Sequence, residues 1–167
     1  MKKIGIMGGT FDPVHNGHLT LAEYASRDYQ LDQVWFMPNG NPPHKDNKNI
    51  VSTPRERAQM VSLAISGYRK FRLEDYELKR KDVSCSYGTM EHFKELYPED
   101  HFYFIIGADS LFSIEQWVHV ERLFPTCTIL AAYRDDKSSR EVMGRQIRLL
   151  TGKYGADIRH LNTPLVD

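Results

Sequence analysis

The stretch "GGTFDPVHNGHL", residues 8–19, decides the fold, because it joins the first predicted strand to the first predicted helix. Before it, Lys3–Met7 is a short apolar run typical of a buried strand. After it, apolar residues recur at helical spacing from about His18 through Ala25. A glycine pair between a strand and a helix lets the backbone approach a bulky anion and direct N–H groups at it. The stretch therefore predicts a phosphate site.

The two histidines of this stretch support the same interpretation. His15 and His18 are three residues apart, so they share one face if the helix begins there. They would then lie at the positive end of the helix, which favours anions. Gly17 lies between them and removes a side chain that would crowd a ligand. The alternative, a tight turn with solvated histidines, explains a single histidine better than it explains the whole pattern.

On the C-terminal side of this stretch, apolar strands alternate with helical segments along the chain. Buried or half-buried strands are predicted at 33–38, 71–78, 101–107, 127–133 and 156–161. Helices are predicted at about 53–67, where "TPRE" forms a capping box, and at 89–97, 108–124 and 139–150. This alternation predicts an α/β fold with a single Rossmann-like, doubly wound parallel sheet and helices on both faces. With 167 residues, no repeat and no linker, one domain over 1–167 is expected.

Polar residues and glycines follow four of the predicted strands. The first strand leads to "GGTFDPVHNGH", the second to "NGNPPHK", the strand at 101–107 to "ADS", and the strand at 127–133 to "RDD". Because ligands of such sheets bind beyond the carboxyl ends of the strands, these groups are expected to converge on one site.

Composition excludes several classes of protein. Lys and Arg number 22, as do Asp and Glu, so the formal net charge is zero, which argues against a broad nucleic-acid-binding surface. No stretch is apolar and long enough for a membrane span or a signal peptide. Two cysteines without metal or disulfide spacing are consistent with a reduced, cytoplasmic location. Neither the dinucleotide fingerprint nor the Walker P-loop is present, which disfavours an NAD-dependent oxidoreductase.

Together, these motifs resemble the nicotinate-nucleotide adenylyltransferases of the HxGH nucleotidyltransferase superfamily. The resemblance rests on "GGTFDPVHNGHL", "WFMPNGNPPHK" (35–45), "TPRERAQMVSLAI" (53–65), "FIIGADSL" (104–111) with Trp117, and "LNTPLVD" (161–167). It covers the chain in order. It implies adenylyl transfer from ATP to nicotinate mononucleotide, which yields nicotinate adenine dinucleotide and pyrophosphate on the route to NAD.

The chemistry suits these residues, because the attacking phosphate is already largely dianionic and needs no strong base. It needs in-line alignment and donors for the charge that develops on the phosphates. We therefore expect catalysis by His18, acting at the α-phosphate, and by His15, acting at the triphosphate. The residues expected at ATP are Gly8, Gly9, Thr10, Phe11, His15, Gly17, His18, Gly107, Asp109 and Arg134. Those expected at nicotinate mononucleotide are Thr10, Asn39, Lys45, Tyr87, Thr89 and Trp117.

Several of these assignments have ordinary structural alternatives. Asp109 could cap a helix rather than accept from ribose hydroxyls, and Trp117 could be a core residue rather than a plate for the pyridine ring. Lys45 and Arg134 could be solvated cations. His44 is a weaker candidate beside Lys45, and Trp35 is expected in the core.

Two departures from the family pattern bear on specificity and ATP binding. In "SYGT" (86–89), Gly88 stands where the family usually has threonine, which weakens the preference for the acid over the amide mononucleotide. The family continues after "TPLVD" with an ISSTxIR-like segment and a final helix, which the domain 1–167 is expected to lack, at a cost in ATP affinity.

No metal-ligand spacing is evident, so Mg²⁺ is expected to bind mainly through the substrate phosphates. The expected partners are ATP and nicotinate mononucleotide, with no nucleic acid or membrane and with a possible homo-oligomer. The alternatives are the same reaction on nicotinamide mononucleotide, or a catalytically weak nucleotide-binding protein. Phosphopantetheine or sugar-phosphate acceptors are disfavoured by "PPHK" and Trp117.

Overall fold

The computed structural model describes residues 1–40 and 51–163. The strands are β1 (Lys3–Gly9), β2 (Gln33–Pro38), β3 (Phe71–Leu73), β4 (His101–Gly107), β5 (Thr128–Tyr133) and β6 (Ile158–Asn162). The α-helices are α1 (Asn16–Asp28), α2 (Pro54–Ile65), α3 (Ser86–Leu96), α4 (Ala108–Ser113), α5 (Val120–Leu123) and α6 (Lys137–Tyr154), with short 3₁₀ turns at Ile114–Gln116 and Phe124–Thr126.

The six strands form one sheet in the order β3-β2-β1-β4-β5-β6, and every neighbouring pair is parallel. The chain starts in the middle with β1, winds outward to β3, and then returns to β4 on the other side of β1. The strand order therefore reverses between β1 and β4, and their carboxyl ends open a crevice of the kind that binds ligands in such sheets.

Helices cover both faces of the sheet, as the sequence predicts. One core layer packs Ala22 and Ala25 of α1 and Val61 of α2 against β1 and β2. The other packs Met90 and Phe93 of α3, with residues of α4 to α6, against the opposite face. Since both faces of a parallel sheet are covered, its strands are apolar runs rather than alternating ones, and all six residues of β5 are buried. The predicted fold class is confirmed.

Most predicted elements are found with shifted ends, but two differ more. The single helix predicted at 108–124 is broken between α4 and α5, because Trp117 has an extended backbone and His119 has a φ of 47°. One strand is also much shorter than predicted. The alternating segment 71–78 forms a strand only over Phe71–Leu73, because β3 is an edge strand whose three register partners on β2 end at Phe36. The chain then turns, and the amide of Lys79 donates to the carbonyl of Asp75. The predicted capping box of α2 is present, with Thr53 and Glu56 each accepting from the other's backbone amide. Within residues 1–40 and 51–163, no helix combines the length and apolarity needed to cross a membrane.

Candidate active site

A cavity of about 440 Å³ opens beyond the carboxyl ends of β1, β2 and β4, at the point where the strand order reverses. Of the residues predicted from the sequence to bind substrate, it is lined by Gly8, Gly9, His18, Asn39, Tyr87, Gly107 and Trp117. The exits of three of the four strands therefore converge, as expected from the parallel topology, whereas the exit of β5 with Arg134 borders a different cavity. The same wall contains residues that sequence reasoning did not single out for binding, Glu77, Ser84, Cys85, Ser86 and Ser110 among them.

The two histidines of "HNGH" form the N-terminal cap of α1. His15 is the N-cap residue, and its Nδ1 accepts a hydrogen bond from the amide of Gly17 at 3.1 Å. In return, Nδ1 of His18 accepts from the amide of His15, also at 3.1 Å. The two rings lie 3.8 Å apart between centroids, with their planes inclined by 31°. This is a capping box in which imidazoles replace the usual hydroxyl and carboxylate.

These caps determine which ring nitrogens can donate. A backbone amide can only donate, so each Nδ1 must accept and each neutral ring carries its hydrogen on Nε2. Burial, and secondarily the neighbouring His15, lowers the pKa of His18 to about 4. His18 is therefore neutral near pH 7 and offers Nε2–H as a donor at the cavity wall, whereas His15 is exposed beside it.

Gly17 of α1 and Phe11 of the preceding loop fix this arrangement sterically. A Cβ at Gly17 would lie 2.9 Å from Cε1 of His15, so any larger residue would displace the histidine ring from its observed position. Phe11, predicted to line the ATP site, is instead almost fully buried, with a backbone φ of 52°. Its ring packs edge-on against His18 at 4.9 Å. Phe11 thus packs against the imidazole on its core side, and the Phe11 ring lies in the core and does not line the cavity.

A buried arginine that sequence reasoning missed ties together the ends of β1 and β2. Arg57 of α2 is 1% exposed, and its Nη1 donates to the backbone carbonyls of Thr10 at 2.9 Å and Asn39 at 2.7 Å. The Asn39 side chain in turn donates to Oγ1 of Thr10 at 3.3 Å. One signal was available in the sequence, since Arg57 shares the apolar stripe of Val61 and Ile65 at four-residue spacing.

The far end of the cavity is formed by α3 and the segment around Trp117. Cys85 occupies the N-cap position of α3 without any side-chain capping hydrogen bond, and Ser86 and Tyr87 of the first turn line the cavity. The ring of Trp117 stands edge-on to Phe104, with 6.0 Å between centroids. Trp117 is half-buried and borders the cavity, so it offers an aromatic surface there. An uncapped helix start supplies free N–H groups and favours negative charge.

Other predicted residues lie outside this cavity. Thr89 is 3% exposed and donates to Oε2 of Glu77 at 2.9 Å, so its hydroxyl is already engaged. Asp109 is exposed in the first turn of α4. Arg134 follows β5 and borders a neighbouring cavity of about 430 Å³, formed by the end of β5 with α4, α6 and Thr163, which follows β6. Lys45 and His44 fall outside the described residues.

The described residues do not contain a protein-built metal centre. Within 1–40 and 51–163, no group of three or more His, Cys, Asp or Glu side chains is arranged to hold a metal ion. Gly88 follows Tyr87 in the first turn of α3, and a Cβ added there would meet no atom within 4 Å. A larger residue at position 88 would therefore be accommodated, so local packing does not require the glycine that departs from the family pattern.

Comparisons with known proteins show the family of this chain. The sequence profile described as cytidylyltransferase-like matches residues 6–159. A Clostridium novyi protein named "Probable nicotinate-nucleotide adenylyltransferase" is 39% identical over 167 residues, which is all of this chain and 82% of that protein. A Bacillus licheniformis protein with the same name is 48% identical over 123 residues, covering 74% of this chain and 65% of its own length. The Plasmodium falciparum nicotinic acid mononucleotide adenylyltransferase, solved in complex with NaAD, shares the fold with a TM-score of 0.79 at 22% identity, over all of this chain and 78% of that one.

Proposed function

This chain belongs to the cytidylyltransferase-like family, and from that membership we propose that it transfers the adenylyl group of ATP to nicotinate mononucleotide. The products are nicotinate adenine dinucleotide and pyrophosphate, which places the reaction in NAD biosynthesis. The observation that carries the proposal is the neutral His18 in the wall of the cavity beyond β1, β2 and β4. Since its Nδ1 accepts a backbone amide, its Nε2–H is the nitrogen that can donate to a substrate. Full-length relatives named for this activity support it.

The reaction needs positioning more than proton transfer. An oxygen of the mononucleotide phosphate attacks the α-phosphorus of ATP, the bond to the bridging oxygen breaks, and pyrophosphate leaves with both electrons. The nucleophile arrives deprotonated, because the second pKa of a phosphate monoester is about 6. The negative charge that grows on the α-phosphate and the leaving group is met by Nε2–H of His18. His15 extends the donor set towards the triphosphate from its exposed position.

We place the mononucleotide in the main cavity. Tyr87 and Trp117 supply aromatic surfaces for the pyridine ring, and the uncapped start of α3 supplies N–H groups for its carboxylate. Asn39, fixed by Arg57 at the end of β2, faces the phosphate end, where Lys45 is proposed to add a cation. Oγ1 of Thr10 accepts a hydrogen bond from the Asn39 side chain, and we propose that Thr10 affects mononucleotide binding by orienting Asn39.

We place ATP across the ends of β1, β4 and β5. Gly8 and Gly9 line the main cavity and allow the phosphates to approach the backbone, and Gly107 at the N-cap of α4 opens the path to the ribose. Gly17, in the first turn of α1, is proposed to serve the phosphates from beside His15. Asp109, exposed in the next turn, is proposed to accept from ribose hydroxyls. Arg134 borders the second cavity, which is large enough to take part of the nucleotide. Phe11 contributes by holding His18 rather than by touching ATP.

We propose that Mg²⁺ enters as part of the MgATP substrate. The described residues hold no cluster of three ligating side chains, and Mg²⁺ prefers phosphate oxygens and water to an all-protein cage. When bound, the ion neutralises phosphate charge and helps pyrophosphate to leave. A cytoplasmic location and a homo-oligomer stay predictions made from the sequence.

The closest alternative is the same reaction on nicotinamide mononucleotide. One observation favours it, since Glu77 places a carboxyl group in the wall of the cavity. Steady-state measurement of kcat/KM for the two mononucleotides with MgATP decides between them. We expect the acid to be preferred by tenfold or more, about 1.4 kcal/mol in transition-state binding. An equal or reversed preference would assign the amide, and ATP binding without pyrophosphate release from either would assign a binding protein.

A further inference from the structure

A buried side-chain pair, Glu77 and Thr89, lies at the far end of the cavity, where Glu77 is one of the lining residues. Glu77 is 6% exposed and Thr89 is 3% exposed, and Oγ1 of Thr89 donates to Oε2 of Glu77 at 2.9 Å. Burial raises the pKa of Glu77, against the opposing effects of the Thr89 hydrogen bond and the charge of Arg80. Burying a carboxyl group costs folding free energy, so we expect Glu77 to have a role that offsets this cost.

The start of α3 lacks a side-chain N-cap. Its N-cap residue, Cys85, makes no side-chain capping bond, and Ser86 and Tyr87 are the first two helical residues. A side-chain cap would engage the amides of the first turn. In α3 the stabilising side-chain hydrogen bond is made one turn later, by Thr89 to Glu77. The backbone amides of the first turn are therefore not engaged by a capping side chain, and the residues that carry them line the cavity.

The other partner of the pair is fixed to the sheet. Gly40 follows Asn39 at the end of β2, and a Cβ at this position would collide with the backbone carbonyl of Glu77. The backbone of Glu77 therefore packs directly on the loop after β2. Through its side chain, the same residue reaches α3. Glu77 thus links the strand exit that carries Asn39 to the helix start that carries Tyr87.

We propose that Glu77 and Thr89 are positioning residues for the pyridine end of the mononucleotide. They set the first turn of α3 at a fixed distance from the end of β2, so that its free amides and Tyr87 meet the ring and its carboxylate. Thr89 acts through Glu77 and does not touch the substrate. This inference rests on the proposed function, because it concerns the mononucleotide half of that site.

The test compares two matched threonine variants. T89V removes the hydroxyl that reaches Glu77, and T128V removes another fully buried hydroxyl, which donates to Oδ2 of Asp157 at 2.9 Å and lies 2.8 Å from Nε2 of His101. Thr128 is the first residue of β5, so it lies at the amino ends of the strands, whereas the cavity opens beyond their carboxyl ends. Both variants are expected to unfold about 5 °C lower. Only T89V is expected to raise KM for nicotinate mononucleotide, by about tenfold, with kcat and the KM for ATP unchanged. T89S restores the hydroxyl and should restore KM.

Variants of Glu77 separate positioning from direct contact. E77Q keeps an oxygen that accepts from Thr89 and should keep KM near wild type, whereas E77A should raise it as T89V does. The double variant E77A/T89V should be no worse than either single variant, because both remove one interaction. Additive effects, or a raised KM in T89V with a normal KM in E77A, would overturn the proposal. So would a T128V variant that shifts KM equally. Failure of the wild-type chain to use either mononucleotide would instead refute the proposed function.

Discussion

Replacing His18 separates its structural contribution from its catalytic one. The imidazole makes two interactions through different nitrogens. Its Nδ1 accepts the His15 amide at 3.1 Å and completes the cap of α1, while its Nε2–H is the proposed donor to the reacting phosphates. H18A removes both interactions. H18N removes only the second, because the amide oxygen of asparagine takes the position of Nδ1.

The two losses have different expected sizes. Loss of a helix cap costs about 1 kcal/mol of folding stability, which for a chain of this length lowers Tm by about 2–4 °C. Loss of one preorganised donor to a transition-state oxyanion costs about 10²–10³-fold in kcat. H18A should therefore show both defects. H18N should recover most of the Tm and none of the kcat.

Stopped pyrophosphate-release assays at saturating MgATP and nicotinate mononucleotide, with thermal unfolding of the same samples, measure both quantities. H15N provides a comparison, because His15 is exposed and lies outside the cavity wall, so its effect on kcat should be smaller. If H18N restored kcat together with Tm, the assignment of Nε2–H as the donor would be refuted. The same would hold if H18A folded normally and kept kcat within a few-fold of wild type.

Further predictions follow from the same contacts. In G17A, the new Cβ lies 2.9 Å from the His15 ring, so the ring must move, and kcat/KM should fall by about tenfold; a normal kcat/KM would refute this steric role. R57M leaves the carbonyls of Thr10 and Asn39 without their donor, and differential scanning calorimetry should show Tm about 4–8 °C lower; an unchanged Tm would contradict it. Because burial lowers the pKa of His18 from 6.5 to about 4, the unfolded chain binds more protons between these values. The free energy of unfolding, measured with urea, should therefore fall as pH drops from 6.5 to 4, and fall less in H18N.

The fold could be predicted because parallel strands covered on both faces must be apolar throughout. The runs at 33–38 and 101–107 match β2 and β4 to the residue. The segment 71–78 was predicted wrongly as one strand, since local alternation does not reveal that an edge strand has a single short partner. In place of the missing strand, the chain turns and buries Glu77, an arrangement that only tertiary contacts explain.

The site was predictable where glycines and histidines mark strand exits, as in residues 8–19. It was not predictable where a charged side chain is buried. Glu77 looks like a surface residue of a loop, and only its position on the apolar stripe of α2 sets Arg57 apart from surface arginines. Each is nevertheless nearly inaccessible and fixes a wall of the cavity. Their partners are separated from them by many residues, so no local pattern indicates the pairs.

Product analysis of a single reaction tests the central claim most directly. The chain is incubated with MgATP and nicotinate mononucleotide, and dinucleotide and pyrophosphate are quantified by chromatography over the same time course. The account predicts nicotinate adenine dinucleotide and pyrophosphate in equal amounts, with neither formed when the mononucleotide is omitted. Pyrophosphate released without dinucleotide, or no product of either kind from folded protein, would contradict it.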